Sequence, residues 1–176
     1  VPSVTSLTNL DLTLLAQRLG RLCQQLNVEV TAAESCTGGG IASVITGVAG
    51  SSAYFTTGYV TYANAAKTRL LGVPEAILNE HGAVSEAVVN AMAAGACRES
   101  GASIGVAVSG IAGPEGGSAE KPVGTVWIAW GDTSQQEAEC FHLPGDRQAV
   151  REQAVRLALA GLVARLDARV KAGKKA

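Results

Sequence analysis

The first regular pattern in the chain is a row of leucines, Leu12, Leu15, Leu19, Leu22 and Leu26, alternating between spacings of three and four. That spacing lines one face of a helix, predicted over about Asp11 to Gln25. Val28 to Ala33 reads as a short strand ending at the polar, glycine-rich cluster Glu34-Ser35-Cys36-Thr37-Gly38-Gly39-Gly40. Apolar character resumes over Ile41 to Ile45, so the cluster lies between a strand and a helix. Ser51 to Tyr62 is rich in aromatic and β-branched side chains, which suit a pleated surface, and predicts one or two strands. From Ala63 the pattern turns helical through Lys67 and Leu71, until Gly72 and Pro74 stop it; Pro74 can open another short helix. Ser85 is placed to cap a helix with Val88, Val89, Met92 and Ala96 inward, ending near Ser100. Ile104 to Ser109 reads as a buried strand that runs into the turn-rich loop Gly110 to Gly117. Val123 to Trp130 and Glu137 to Leu143 predict two more strands, joined as a hairpin through Gly131-Asp132. A last helix follows Asp146, with Val155, Leu159, Leu162 and Leu166 facing the core.

Helices interleaved with strands predict an α/β protein, and the hairpin makes its sheet mixed. The length of 176 residues fits one domain. That domain is assigned to residues 10–168, between a flexible N-terminal tail over 1–9 and a basic C-terminal tail over 169–176. A chain of this size buries roughly 70% of the surface its unfolded form exposes, so its core needs neither metal nor disulfide. The four cysteines, Cys23, Cys36, Cys97 and Cys140, form no CxxC pair and have no histidine nearby, which argues against a zinc site. Neither metal nor cofactor is expected. Lys plus Arg number 14 against 15 Asp plus Glu, leaving no positive surplus with which to displace counterions from nucleic acid. Aromatic residues, at 4%, provide few platforms for stacking bases. No apolar run reaches the roughly 20 residues that span a bilayer, and residues 1–9 lack a basic segment followed by an apolar one. No membrane partner and a cytoplasmic location are expected.

Polar groups concentrate at the two glycine-rich breaks, where ligands of open α/β sheets settle. Ser35 to Gly40 combines hydroxyls, a thiol and backbone N–H groups at a helix N-terminus, which suits a phosphate or a developing oxyanion. It matches neither the Walker pattern nor GxGxxG, so an ordinary NTPase or dehydrogenase is disfavoured. A tight turn with an N-cap explains the same residues without any ligand. Glycines of the Gly110 to Gly117 loop can serve only to supply positive φ, and a lysine such as Lys67 on an amphipathic helix is ordinarily solvated.

Read together and in order, the segments Glu34-Ser35-Cys36-Thr37-Gly38-Gly39, Gly50-Ser51-Ser52, Tyr62-Ala63-Asn64-Ala65-Ala66-Lys67, His81 to Glu86, Ser109 to Pro114, Lys121 to Val126 and Gly145-Asp146-Arg147 resemble the CinA C-terminal domain family over roughly residues 10–165. The resemblance implies a three-layer α/β/α sandwich around a mixed β-sheet. It also implies hydrolysis of the carboxamide of nicotinamide mononucleotide to nicotinate mononucleotide and ammonia, in salvage of the pyridine ring. Ser35 corresponds to the family's proposed nucleophile, and Tyr62 and Lys67 to the residues that assist it. Ser109, which opens the loop, and Arg147 correspond to further polar residues of the site. Gly110, beside Ser109, joins the expected substrate contacts.

Such chemistry needs a nucleophile, a proton carrier and donors for a tetrahedral oxyanion. Lys67 can act as base only when neutral, so burial or a nearby positive charge must lower its pKa. Tyr62 could relay the proton or orient the amine. Cys36 is the rival nucleophile, although only His81 and His142 are present to partner it. Glu34 orients the turn or binds ribose hydroxyls, and the substrate phosphate meets either Arg147 or Thr37, Gly38 and Gly39. A homodimer is expected. The alternatives from other classes are a nucleotide-binding module without catalysis and a DNA-linked role, the latter without support in charge or aromatic content.

Overall fold

The computed structural model describes residues 11–173. The N-terminal tail expected over 1–9 lies outside the described residues. In chain order the elements are α1 (Leu12–Leu26), β1 (Val30–Glu34), α2 (Gly40–Thr46), a single 3-10 turn (Ser51–Ala53), β2 (Phe55–Val60), α3 (Asn64–Leu71), α4 (Glu75–His81), α5 (Glu86–Ser100), β3 (Ile104–Gly110), β4 (Thr125–Gly131), β5 (Gln136–His142) and α6 (Arg147–Gly173). The last helix thus continues through 169–173, where the sequence suggests a tail, and Lys171 pairs with Asp167 one turn earlier at 3.1 Å.

The five strands form one sheet in the order β2-β1-β3-β4-β5. β1 pairs in parallel with both β2 and β3, while β3–β4 and β4–β5 are antiparallel. The sheet is therefore mixed, as the hairpin predicts. That hairpin turns over residues 132–135 rather than at Gly131-Asp132 alone, because the Asp132 carboxylate accepts the N–H groups of Ser134 at 2.7 Å and Gln135 at 2.9 Å. An aspartate that satisfies the backbone two and three residues on favours the longer turn.

The central strands explain the three layers. All five residues of β1 and six of the seven in β3 are buried, as expected of strands covered on both faces. Val30, Ala32, Ile104, Val106, Val108, Val126, Ile128 and Trp130 point to one side, where they pack with α1, α2 and α6. Ala33, Ala107 and Ala129 point to the other, beneath Val88, Val89, Met92 and Ala96 of α5. The edge strands β2 and β5 alternate between half-buried and exposed positions along most of their length. α1 begins where Asp11 accepts the Thr13 N–H at 2.8 Å, and it buries Leu15, Leu19 and Leu22 of the predicted row.

This topology puts the chemistry at one end. β1, β2 and β3 run parallel, so Ser35, Tyr62 and Gly110 all emerge at the same edge of the sheet. β5 also finishes there, because Thr125 at the start of β4 pairs with His142 at the end of β5, and α6 starts after a connection of four residues, 143–146. Trp130 seats α6 on the sheet. Its Nε1 donates to the Ala158 carbonyl at 2.9 Å, Arg165 covers the ring at 4.3 Å, and the indole lies against Gly161.

A Cβ at Gly161 would stand 2.1 Å from the Trp130 ring. Gly161→Ala is therefore expected to destabilise the fold by about 1–3 kcal/mol through overpacking. Urea unfolding at equilibrium checks this.

Candidate active site

Ser35 is the first residue beyond β1, and its N–H extends the ladder by donating to the Val108 carbonyl at 3.0 Å. Thr61, just beyond β2, extends the other side of β1 by donating to the Glu34 carbonyl at 2.8 Å. Lys67 comes from the first turn of α3. Far from being solvated, it is only 1% exposed. Its Nζ lies 3.0 Å from Ser35 Oγ, 2.8 Å from the Thr61 carbonyl and 3.2 Å from the Tyr62 carbonyl. Burial pushes the Lys67 pKa below the ordinary lysine value, with the neighbouring Cys36 opposing that shift. Among the described residues no carboxylate forms a salt bridge with this amine, so removal from water acts on it without the usual compensation.

The hydrogen-bond count at Nζ is informative. A neutral amine has two N–H donors and one lone pair. The two carbonyls take the donors, and the lone pair is left for the Ser35 hydroxyl proton. A charged ammonium would instead donate to all three oxygens. The site can therefore hold either state, while burial weights it toward the neutral one.

Tyr62 plays a different structural part from a proton relay placed between serine and lysine. Its main-chain carbonyl meets Lys67, whereas its side chain is 60% exposed and its hydroxyl accepts from Arg147 Nη2 at 3.0 Å. Arg147 also donates through Nη1 to the Gly113 carbonyl at 2.8 Å. One guanidinium thus joins the β2–α3 connection to the loop after β3. A cavity of about 290 Å³ opens between these parts, and Ser35, Tyr62, Lys67, Ser109, Gly110 and Arg147 all border it. Ser109 is buried at the end of β3. Gly110 is confined, since a Cβ there would lie 2.6 Å from Val126.

Four of the sequence-predicted positions lie outside the lining of this cavity. Glu34 is 1% exposed and turned into the cluster, where Oε1 accepts from Thr37 Oγ1 at 2.6 Å and from the Ile41 N–H at 2.8 Å, while Oε2 accepts from the Ala42 N–H at 3.1 Å. It anchors the start of α2 and holds the turn from beneath. Thr37 spends its hydroxyl on that contact. Gly38 and Gly39 supply left-handed backbone, with φ of 57° and 100°.

Cys36 borders the cavity, but burial pushes its thiol up to about 11, which keeps it protonated near neutral pH. Neither histidine lines the cavity. His81 ends α4, and its carbonyl accepts from Lys121 Nζ at 2.7 Å, which pins the long β3–β4 loop near the site.

A larger cavity of about 920 Å³ adjoins the first, sharing Ala112 and Arg147 with it. Its walls are mostly apolar, with Val44, Val123 and Val155 among them, and Thr37, Gly40 and Arg151 also contribute. Serine and lysine lie in the smaller cavity, which is therefore the one that can carry the chemistry. Sequence reasoning missed Glu115 as a cavity-lining residue and assigned no role to Asn64, although Asn64 falls within the quoted Tyr62 to Lys67 segment. It also missed Arg151, whose signal was its place one helical turn after Arg147.

Among the described residues no group of three His, Cys, Asp or Glu side chains could hold a metal ion, and no helix is long and apolar enough to cross a membrane. Comparison with known proteins gives a consistent result. The chain is 60% identical over 152 residues to a Pseudomonas putida protein named nicotinamide-nucleotide amidohydrolase PncC, covering 86% of this chain and 95% of that one. An Escherichia coli K12 protein of the same name is 52% identical over 157 residues, covering 87% and 93%. The crystal structure of a CinA superfamily protein from Klebsiella pneumoniae superposes with a TM-score of 0.86 at 41% identity, covering 90% of this chain and 99% of that one. Residues 12–166 match the CinA C-terminal domain, and the chain belongs to that family.

Proposed function

We propose that this protein is a nicotinamide-nucleotide amidohydrolase that converts nicotinamide mononucleotide and water to nicotinate mononucleotide and ammonia through a Ser35 acyl-enzyme. The observation that carries the reading is the buried Lys67 amine 3.0 Å from Ser35 Oγ with two carbonyls on its remaining donors. The names of the Pseudomonas putida and Escherichia coli relatives support the substrate, and their near full-length overlap supports its transfer.

In this mechanism the neutral Lys67 takes the Ser35 proton as Oγ attacks the carboxamide carbon. The carbonyl π electrons move to oxygen, giving a tetrahedral oxyanion. The N–H groups of Cys36 and Thr37, which donate to no other backbone acceptor among the described residues and follow Ser35 directly in the turn, are the donors assigned to it. The oxyanion collapses, the C–N bond breaks, and Lys67 returns the proton to the departing ammonia. Water then attacks the ester as Lys67 again accepts a proton, the C–Oγ bond breaks to release nicotinate mononucleotide, and Lys67 returns that proton to Ser35 Oγ, restoring the serine and the neutral amine. Tyr62 aligns the lysine through its carbonyl, and its phenol accepts from Arg147 beside the cavity. Ser109, Gly110 and Arg147 contact the substrate in the cavity, with Arg147 the cationic partner for its phosphate; Glu34, the Thr37 hydroxyl, Gly38 and Gly39 act by shaping the turn.

The same reading takes residues 10–168 as the catalytic domain, acting in pyridine nucleotide salvage in the cytoplasm as a homodimer. Four free cysteines, three of them buried, are compatible with a reducing compartment. The competing reading as a nucleotide-binding module without turnover requires ligand binding with no ammonia released above a no-enzyme control.

Three outcomes are expected. Ser35→Ala reduces ammonia release to background while Cys36→Ala keeps most of it; the opposite pattern moves the nucleophile to Cys36. Lys67→Met lowers kcat by at least about 100-fold, and a near-normal rate removes Lys67 from the chemistry. Because the depressed Lys67 pKa means that the active neutral form accumulates as pH rises, kcat/KM climbs through an acid limb centred below the ordinary value of 10.5. A limb centred at or above that value in the wild type contradicts the assignment.

A further inference from the structure

Arg151 belongs to none of the motifs above, and no step of the mechanism uses it. It lies on α6 and reaches across to the turn that carries Ser35. There Nε donates to the Cys36 carbonyl at 3.1 Å and Nη2 to the Thr37 carbonyl at 3.3 Å. We propose that Arg151 is a positioning residue for the nucleophile, fixing the two peptide planes after Cys36 and thereby the aim of the Ser35 hydroxyl and the Thr37 N–H, a role that rests on the serine mechanism proposed above.

Three features of the fold carry the inference. Peptide planarity makes the Thr37 N–H point opposite to the Cys36 carbonyl, so a guanidinium holding that carbonyl on the α6 side sends the donor away from α6. A cation on a carbonyl also polarises its amide, which strengthens the N–H on the other side of the same plane. Second, the turn is shaped to receive the guanidinium. Gly38 adopts φ of 57°, and a Cβ there would lie 3.3 Å from Arg151 Nη2, so the left-handed glycine both bends the chain and leaves room for the arginine. Third, the turn is held from two sides. Glu34 grips Thr37 Oγ1 and the start of α2 from beneath, and Arg151 grips successive carbonyls from α6. Two carbonyls met by Nε and Nη2 of one planar group is a geometry a lysine ammonium cannot reproduce. No carboxylate forms a salt bridge with Arg151 among the described residues, so its charge faces the turn and the adjoining large cavity.

The test uses Arg151→Lys and Arg151→Met in the full chain, with three readouts: steady-state kinetics on nicotinamide mononucleotide, the rate of covalent labelling of Ser35 by a fluorophosphonate, and thermal melting. Both variants are expected to lose about 10- to 100-fold in kcat with KM within about threefold of wild type, since small misplacements of reacting atoms act on the chemical step. Labelling should slow by a similar factor, and lysine should not rescue either rate. A kcat within about twofold of wild type overturns the proposal. So does a rise in KM at constant kcat, which makes Arg151 a substrate contact. Collapse of the melting temperature in both variants also overturns it, in favour of a purely structural role. Wild-type protein that is labelled at Ser35 but releases no ammonia, with labelling slowed in the variants, rejects the amidohydrolase reading and leaves the positioning role standing. Absence of labelling in the wild type rejects both.

Discussion

A single amine held out of water organises this site. Lys67 is among the largest fully buried side chains in the protein, yet it sits among carbonyl and hydroxyl oxygens rather than beside a carboxylate. That choice of partners matters energetically. A carboxylate would stabilise the ammonium and raise its proton affinity, whereas carbonyl dipoles satisfy N–H groups without demanding a full charge. The remaining architecture follows from the need to keep those oxygens in place. Thr61 and Ser35 extend the β1 ladder on either side of the strand, so the amine and the hydroxyl are referenced to the same strand.

The last helix performs the complementary task from the opposite layer. In its first two turns Arg147 ties Tyr62 to Gly113, and Arg151 ties the Ser35 turn to the helix. Three connections that are separate in sequence, those following β1, β2 and β3, therefore share one mount. The cavity of about 290 Å³ between them adjoins the larger one of about 920 Å³ at Arg147 and Ala112.

Much of this was legible in the chain itself. The leucine row of α1, the buried run of β3 and the cap at Ser85 mapped directly onto structure, because each follows from local periodicity or from one side chain bonding the backbone beside it. The hairpin was placed one step short, since the Asp132 carboxylate could stabilise a longer turn that dipeptide preference does not report. At the site, the side chains that face the cavity and those that merely build its wall were not separable. Glu34 and Ser35 are adjacent, but strand alternation and a sharp turn send one into the interior and the other toward Lys67. Tyr62 was legible as a candidate through its side chain and not through its carbonyl, which accepts from Lys67, because main-chain oxygens carry no residue-specific signal. Arg151 lies 115 positions from Cys36, so its signal in the sequence is its place one helical turn after Arg147 rather than any link to the Ser35 turn.

The length of α6 has a mechanical consequence. At 27 residues it is a rod of about 40 Å, with Arg147 and Arg151 at one tip and the Asp167 ion pairs to Arg18 and Lys171 near the other. Because the helix is buried over most of that span, from Val150 to Leu166, one continuous packed face sets both its seat on the sheet and the place of the two arginines. The three connections that Arg147 and Arg151 hold are thereby tied, through a single helix, to the main hydrophobic core.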